Sequence, residues 1–523
     1  MRRYIYSICL VIAVVLSSCS EWLHEPSPGS TELKDFFTVG ETAIQSVNAA
    51  YAPLMWEYNH TYYSEWFIGD VMSDDALKGG QNIGDMADAY DMENWKTNTN
   101  NTLILDFYRA QYQGIARCNL ALKAIPDMDN DSTLTIEVQN RLLGELHYLR
   151  AYYYFRLVRV YGGVPIVTEP LESADKWKVD RSTVAEVYRL IEEDLVFANN
   201  YLWVKSAYSA EDLGRATKGA AQAMLLKVNL YQHKYTEAKQ WGDSIIASGE
   251  YQLCDMYADN FTLAGENGIE SVFEIQYMED PTSDYGEGNG FSRGTFTTIL
   301  TRSRSAEIGG GWGFNKPTQN LYDEYEENDP RRDWTIFNPT DAQITTPAEE
   351  IYLGSRYLNR KTMWIDKDNT IPELTHNSRG PLNYKLIRYA DVLLMYAEAC
   401  IEIGDLSSAQ IMINQVRQRA RNEVSATYPD ALPDFPYGTY AVTKEDLIKA
   451  VRHERRVELG MEGHRWFDLC RWGIAKETMD AYQAGETEEA KAHMAVFIEG
   501  KHELLPIPSK EIELNPMQQN FGY

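Results

Sequence analysis

Leu230-Tyr231-Gln232-His233-Lys234-Tyr235-Thr236-Glu237-Ala238 lines up with Ile401-Glu402-Ile403-Gly404-Asp405-Leu406-Ser407-Ser408-Ala409. Each stretch reads as the end of one helix, a tight turn, and a second helix that opens on a small residue. An alanine at that place, Ala238 or Ala409, has no side chain to hold its partner helix away. The chain therefore contains at least two closely packed helix pairs.

Helical periodicity spreads outward from these joints. Apolar residues recur about every 3.6 positions over Asp106–Ile125, Val138–Tyr161, Thr183–Tyr201, Lys218–Gln232, Thr236–Ser248, Tyr389–Ile403, Leu406–Arg421 and Lys444–Leu459. Ser, Thr or Asp starts and glycine stops, such as Gly162-Gly163, bound several of them. The pattern predicts a mainly α-helical fold, a scaffold of tetratricopeptide-like helix pairs. The joints are few and far apart, so a free solenoid is not expected. Residues 255–385 read differently. They are rich in Gly, Pro, Asn, Thr and aromatics, with short strand-like pieces such as Ser271-Val272-Phe273-Glu274-Ile275. This is a loop-rich excursion, and loops carried on a rigid scaffold commonly carry function.

The N-terminus sets the compartment. Arg2 and Arg3 precede the apolar run Ile8–Leu16, and Ser17-Ser18-Cys19 follows. A basic start, a short apolar core and a small-residue cleavage site make a secretory signal. The run is too short to span a bilayer, which takes about 20 residues. Leu16-Ser17-Ser18-Cys19 also fits the bacterial lipobox, which makes Cys19 the expected acylated N-terminus. Residues 20–35 form a polar tether through Pro26-Ser27-Pro28-Gly29-Ser30. The reading is residues 1–18 as signal, 19–35 as lipidated terminus and tether, 36–250 as an N-terminal helical region, and 251–523 as a C-terminal region carrying binding loops. The last two are expected to form one compact unit.

The 523-residue chain has a formal net charge of -28. Such acidity argues against a nucleic-acid partner and against a broad electrostatic hold on anionic lipid. Tyr 35, Phe 16 and Trp 12 make it rich in rings that offer an apolar face with a polar handle. Of the cysteines left after export, Cys118, Cys254, Cys400 and Cys470 are widely spaced, and three lie in apolar helical patterns. Buried free thiols are expected, although an even count in an exported chain permits disulfides.

Several motifs together resemble one family. Gly144-Glu145-Leu146-His147-Tyr148-Leu149-Arg150-Ala151-Tyr152-Tyr153-Tyr154-Phe155 runs on to Tyr161-Gly162-Gly163-Val164-Pro165. Further along come Gly214-Arg215-Ala216-Thr217, Arg388-Tyr389-Ala390-Asp391-Val392-Leu393-Leu394 and Val416-Arg417-Gln418-Arg419-Ala420. The block from Glu454-Arg455-Arg456-Val457-Glu458-Leu459 through Glu462-Gly463-His464-Arg465-Trp466-Phe467-Asp468 is the most specific. Leu505-Pro506-Ile507-Pro508 and Gln519-Asn520-Phe521-Gly522-Tyr523 close the chain. In order and spacing these resemble the SusD/RagB family of Bacteroides-type surface lipoproteins. The resemblance implies a lipid-anchored outer-membrane protein that faces outward. It would capture a glycan or another oligomeric nutrient and pass it to a SusC-like TonB-dependent transporter, without catalysis.

No nucleophile elbow, P-loop, HExxH or cysteine–histidine zinc spacing occurs. A glycosidase carboxylate pair requires a spacing in space that composition does not reveal. A surface glycoside hydrolase, and a transporter lid without ligand affinity, therefore stand as alternatives. The acids and arginines of the 454–471 block, Arg465 among them, read as a structural ion-pair network. Asp127-Met128-Asp129-Asn130-Asp131 is set beside a calcium loop by its acids, but Ser132 stands where glycine is needed and Glu137 falls one position short. It reads as an interhelical turn, and no cofactor is expected.

A sugar offers an apolar C–H face and hydroxyl edges, so its binder needs ring platforms with a few polar groups beside them. Two regions fit. Trp56–Gly80 supplies Asn59, Tyr62, Tyr63, Trp66, Asp70, Asp74 and Asp75. The excursion supplies Tyr285, Phe291, Trp312, Arg356, Tyr357 and Trp364. Asn59, Tyr63, Trp66, Asp74, Trp312, Arg356, Tyr357 and Trp364 are the candidate ligand contacts, with Trp66 and Trp312 as leading platforms. The resemblance agrees, since family ligand sites lie in corresponding loops.

Membrane attachment is expected to depend on Cys19. Cys19→Ala should release the protein or leave an uncleaved precursor, because the acyl chains supply the membrane affinity. Palmitate labelling with membrane fractionation checks this; continued labelling and retention would refute it.

Overall fold

The computed structural model describes residues 36–57, 65–171, 173, 176–279, 293–344, 355–366, 370–376 and 379–523. Its long helices are Gly40–Tyr51 (α1), Thr102–Ala124 (α2), Ile136–Tyr161 (α3), Val184–Tyr201 (α4), Lys218–Tyr231 (α5), Tyr235–Ala247 (α6), Tyr389–Ile403 (α7), Leu406–Val424 (α8) and Lys444–Leu459 (α9). Among the described residues, the short strands are Ala76–Gly79 (β1), Ser271–Ile275 (β2), Phe314–Pro317 (β3), Ile336–Phe337 (β4), Leu358–Asn359 (β5) and Tyr384–Arg388 (β6). The caps explain the helix ends. Asn101 accepts from the amides of Leu103 and Ile104 to start α2, and Thr183 with Glu186 forms a capping box on α4.

Both aligned joints form. α5 and α6 pack as one pair and α7 and α8 as the other, with Ala238 and Ala409 fully buried between helices. The turns differ in cost. Gly404 takes the left-handed conformation at φ 86 that ends α7 without strain, whereas His233 holds φ 58 in the first joint. His233 is steadied there by a 2.7 Å bond between its Nδ1 and the Tyr235 hydroxyl.

The joints are distant in sequence but adjacent in space. α6 packs directly on α7, and the Tyr396 hydroxyl donates to Asp243 at 2.6 Å across that contact. Successive helices from α2 to α9 each pack on the next. The loop-rich excursion is thus an insertion into a continuous helical run. The antiparallel pairing of β2 with β6, Ser271 opposite Arg388, ties its two ends together. β1 pairs with β3 and β4 with β5, both antiparallel. One hydrophobic cluster extends from Ala43 to Ile507 and crosses the boundary at residue 250.

The charged block is a buried network. The Glu458 carboxylate, fully buried, meets Arg331 at 3.3 Å, Arg388 at 3.0 Å, and Arg419. Arg388 also reaches Glu270 and Glu462, and Arg331 reaches Asp329 and Glu454. Arg455 bridges Asp391 and Asp468. Burial alone would raise Glu462 and Asp468. The guanidiniums outweigh it and hold Glu462 and Asp468 down at about 2.

Three smaller readings resolve here. Cys118, Cys254, Cys400 and Cys470 are all free thiols. No described helix is long and apolar enough to cross a membrane. The Asp127–Asp131 turn is a capping device: the Asp131 carboxylate accepts from the amides of Gly40, Thr133 and Leu134 at 2.7–2.8 Å, so its oxygens are committed to backbone.

Glu458→Ala would take one acid partner from each of three buried guanidiniums and should cost about 3–5 kcal/mol. Arg189→Ala, which breaks the exposed Arg189–Glu193 pair, should cost under about 1 kcal/mol. Urea melts of both variants measure the contrast. A second prediction concerns pH. Burial would lower His453, but Glu324 and Glu326 at 2.6 and 3.3 Å lift it to about 9. A raised histidine stabilises the fold fully below its unfolded value of about 6.5 and loses that contribution as pH climbs to about 9. Thermal melts of the protein should fall over that window, and His453→Gln should flatten the slope.

Candidate functional site

The two regions singled out by their rings meet at one place, and Glu57 is the reason. Its buried carboxylate accepts from the Thr295 hydroxyl at 2.8 Å, the Phe296 amide at 2.5 Å, and the Thr297 amide and hydroxyl at 3.1 and 2.8 Å. Trp66 Nε1 donates to the same Thr297 hydroxyl at 3.2 Å. Glu57 and Trp66 thus meet the 295–297 segment at one point. Close by, the Met278 amide donates to the Arg293 carbonyl at 2.8 Å.

Beyond this junction, Thr297–Thr301 forms a short helix and the chain turns back. The Trp312 amide bonds the Ile299 carbonyl at 2.9 Å. The half-buried Trp312 ring meets Phe296 edge to face, with centroids 5.1 Å apart. Arg302, 2% exposed, donates to the carbonyls of Met363 and Pro372 at 2.9 Å each and sits against the Trp364 ring. Burial lowers Arg302 to about 10, so it stays charged while it pins three loop segments together. Trp364 is half-buried, at a left-handed φ of 52. The pairing of β1 with β3 brings the exposed turn Gln81-Asn82-Ile83-Gly84 alongside residues 309–313. Arg304 pairs with Asp85 at 2.6 Å across this seam. The result is a rim with two partly exposed indoles, two exposed side-chain amides and an ion pair.

The structure corrects two candidates. Trp66 is fully buried and lies against Phe67, with centroids 3.7 Å apart. It has no open face to offer a ligand; it holds the base of the junction. The short Trp66–Gly69 turn is pressed so close to the 463 backbone that a β-carbon on Gly69 would lie 2.0 Å from the Gly463 carbonyl oxygen. Asp74 is 3% exposed and takes a bidentate pair from Arg465 at 2.8 and 2.9 Å plus a bond from Arg456. Burial raises its carboxyl, but Arg456 and Arg465 reverse this and hold it well below the usual range. Its neighbours are likewise structural. Asp75 pairs with Arg456, and Asp70 accepts from the Gly463 amide at 2.8 Å while burial pushes it up to about 7.

Arg356 and Tyr357 lie in a separate cluster. Tyr357 is 8% exposed, stacked on Tyr322 with centroids 4.8 Å apart, and its hydroxyl donates to Gln319. Arg356 donates to the Pro339 carbonyl and Asp341. Neither residue is brought into the Trp312 rim by these contacts. Asn59, Tyr62, Tyr63, Tyr285 and Phe291 lie outside the described residues, as does Cys19. The sequence reading stopped at Gly80 and so missed Gln81 and Asn82. The double glycine followed by two amides was the available signal for an exposed polar turn.

Comparison with known proteins agrees with this architecture. The profile described as the SusD family matches residues 269–523, and a second, described as starch-binding associating with outer membrane, matches residues 21–230. SusD-like protein P25 of Formosa agariphila is 26% identical over 79% of this chain and 78% of its own. A structure named as a laminarin binding SusD-like protein is 29% identical and superposes with a TM-score of 0.76 over 93% of this chain and all of that one. Surface glycan-binding protein A from Bacteroides fluxus is 26% identical, also with a TM-score of 0.76 over 93% of this chain and all of its own. With two profiles that between them span most of the sequence and a fold shared end to end with such structures, the chain belongs to the SusD family.

Proposed function

We propose that the protein is a non-catalytic, cell-surface glycan-binding lipoprotein that takes up an oligosaccharide on the Trp312–Trp364 rim. It then hands the ligand to a SusC-like TonB-dependent transporter in the outer membrane. The observation that carries this reading is the junction at Glu57, which gathers both ring-bearing regions beside two partly exposed indoles. Indole faces suit the C–H face of a pyranose, and the Gln81 and Asn82 amides suit its hydroxyl edges. Two relatives named for glycan or laminarin binding support the ligand class.

Binding is favoured over hydrolysis by the state of the rim carboxylates. Glu57 accepts at least four protein hydrogen bonds, and Asp85 pairs with Arg304 while accepting from the Gln81 amide at 2.8 Å. A hydrolase needs two carboxyls facing the bond to be cut. Cys19 would anchor the molecule with the rim facing outward, through more than one acyl chain.

Calorimetric titration of the chain with glycan-array ligands, laminarihexaose included, tests the assignment. Trp312→Ala and Trp364→Ala should each weaken binding by roughly 1–3 kcal/mol, the scale of a well-packed contact, with circular dichroism unchanged. Affinity should vary little with salt, because a neutral sugar makes no ion pair. Unchanged affinity in both variants would overturn the rim. New reducing ends on incubation would favour the hydrolase, and no binding to any glycan would favour the lid.

A further inference from the structure

A second feature lies in the helical run, away from the rim. Residues 251–256, just after α6, and the outer face of α8 enclose an open groove of about 620 Å³, floored by Tyr389 and Leu393. This size falls within the usual range for small-molecule sites.

The groove's wall is made of amides. Gln415, Gln418 and Asn422 repeat at i, i+3 and i+7 on α8 and so form one stripe. Gln252 faces them from the other wall. Among the described residues, no protein group bonds to any of these four side-chain amides. Exposed amides on a helix are ordinary by themselves, but two buried groups at the groove are not. Tyr389 is nine-tenths buried, and only burial shifts its hydroxyl, which has no protein partner. Arg419, 5% exposed, gives its terminal nitrogens to Glu270 and Glu458, and its buried Nε has no partner. Arg419 Nε is closed off from solvent, but the Tyr389 hydroxyl at the end of its buried ring is not, and a ligand or water in the groove gives it the partner it lacks.

The charges narrow the ligand. Arg419 is already neutralised by two acids, and Asp255 and Glu423 add negative charge at the groove. An anionic ligand would be repelled. The remaining groups are amides, which both donate and accept, and a phenol hydroxyl over an apolar floor. We infer that this groove is a second saccharide site, which takes a neutral sugar unit by hydroxyl–amide bonds with its apolar face on Tyr389 and Leu393. The site has no ring stacked open to solvent, so it differs from the rim in how it grips. It would hold a second stretch of one glycan, or a second chain, and raise the effective concentration at the rim.

Hydrogen–deuterium exchange on the full chain in detergent tests this, with millimolar laminarihexaose and maltohexaose as probes. Either sugar should protect residues 251–256 and 415–424. Gln418→Trp, on an exposed helix face, should fill the groove and weaken that protection at least about tenfold, while protection of residues 295–312 stays. Tyr389→Phe should weaken it at least about threefold with an unchanged melting temperature. No protection at the groove with either probe would overturn the proposal, as would protection indifferent to Gln418→Trp. Equal protection by a hexamer of uronic acid would overturn the neutral-sugar assignment. Protection at the groove without protection at residues 295–312 would instead refute the rim, so the two readings fail separately.

Discussion

The carboxylate of Glu458 is the point on which this architecture depends. Three arginines from three elements converge on it: Arg331 from the 330–335 helix, Arg388 from β6 and Arg419 from α8. Two of these elements belong to the inserted excursion or its edge, and the third, α8, to the helical run. Isolated burial of any one charge would cost several kcal/mol, and only mutual satisfaction makes the set tolerable. The network therefore accepts one arrangement of insertion and scaffold and penalises others. A purely hydrophobic contact at the same place would be less selective about register, since apolar burial is non-directional.

With the insertion fixed in this way, the rim follows from a short chain of bonds. Lys361 continues the network from Glu462 and donates to the Gly460 carbonyl at 2.7 Å. The next residue, Thr362, bonds Thr301 at the end of the short helix that begins at Thr297. Glu57 grips the start of that helix, and Arg302 just beyond it pins Trp364. The same path thus leads from the buried charges to the exposed indoles. Preorganised rings lose little freedom on binding, so more of the contact energy appears as affinity.

Much of the scaffold was legible in the sequence because its signals are local. The helix joints at His233 and Gly404, and the strand Ser271–Ile275, needed only periodicity and turn chemistry. The stacking of α6 on α7 was not legible, because a helix surface does not announce which partner lies across a 141-residue insertion between Ala247 and Tyr389. The site was legible only in part. Trp66 and Asp74 sit among glycines and polar residues, a context that reads as exposed loop. Their burial is decided by residues remote in sequence: Thr297 lies 231 positions from Trp66, and Arg465 lies 391 positions from Asp74. Trp312 shares the same kind of local context, yet it stays partly open, its ring meeting Phe296 edge to face.

This division has a consequence for how such a protein can change. A substitution among the buried charges must be matched by others, since Arg331 and Arg388 each serve three acids, and Glu270, Glu454 and Glu458 each serve more than one guanidinium. A substitution at Gln81, Asn82 or Trp364 meets no such condition. A fold shared at a TM-score of 0.76 with a laminarin-binding protein at only 29% identity is what this asymmetry allows. The scaffold resists drift because its charges are coupled, and the rim's amides and indoles are freer to vary because no ion pair depends on them. Ligand preference can then be altered at the rim without disturbing the surfaces that hold the insertion to the helices.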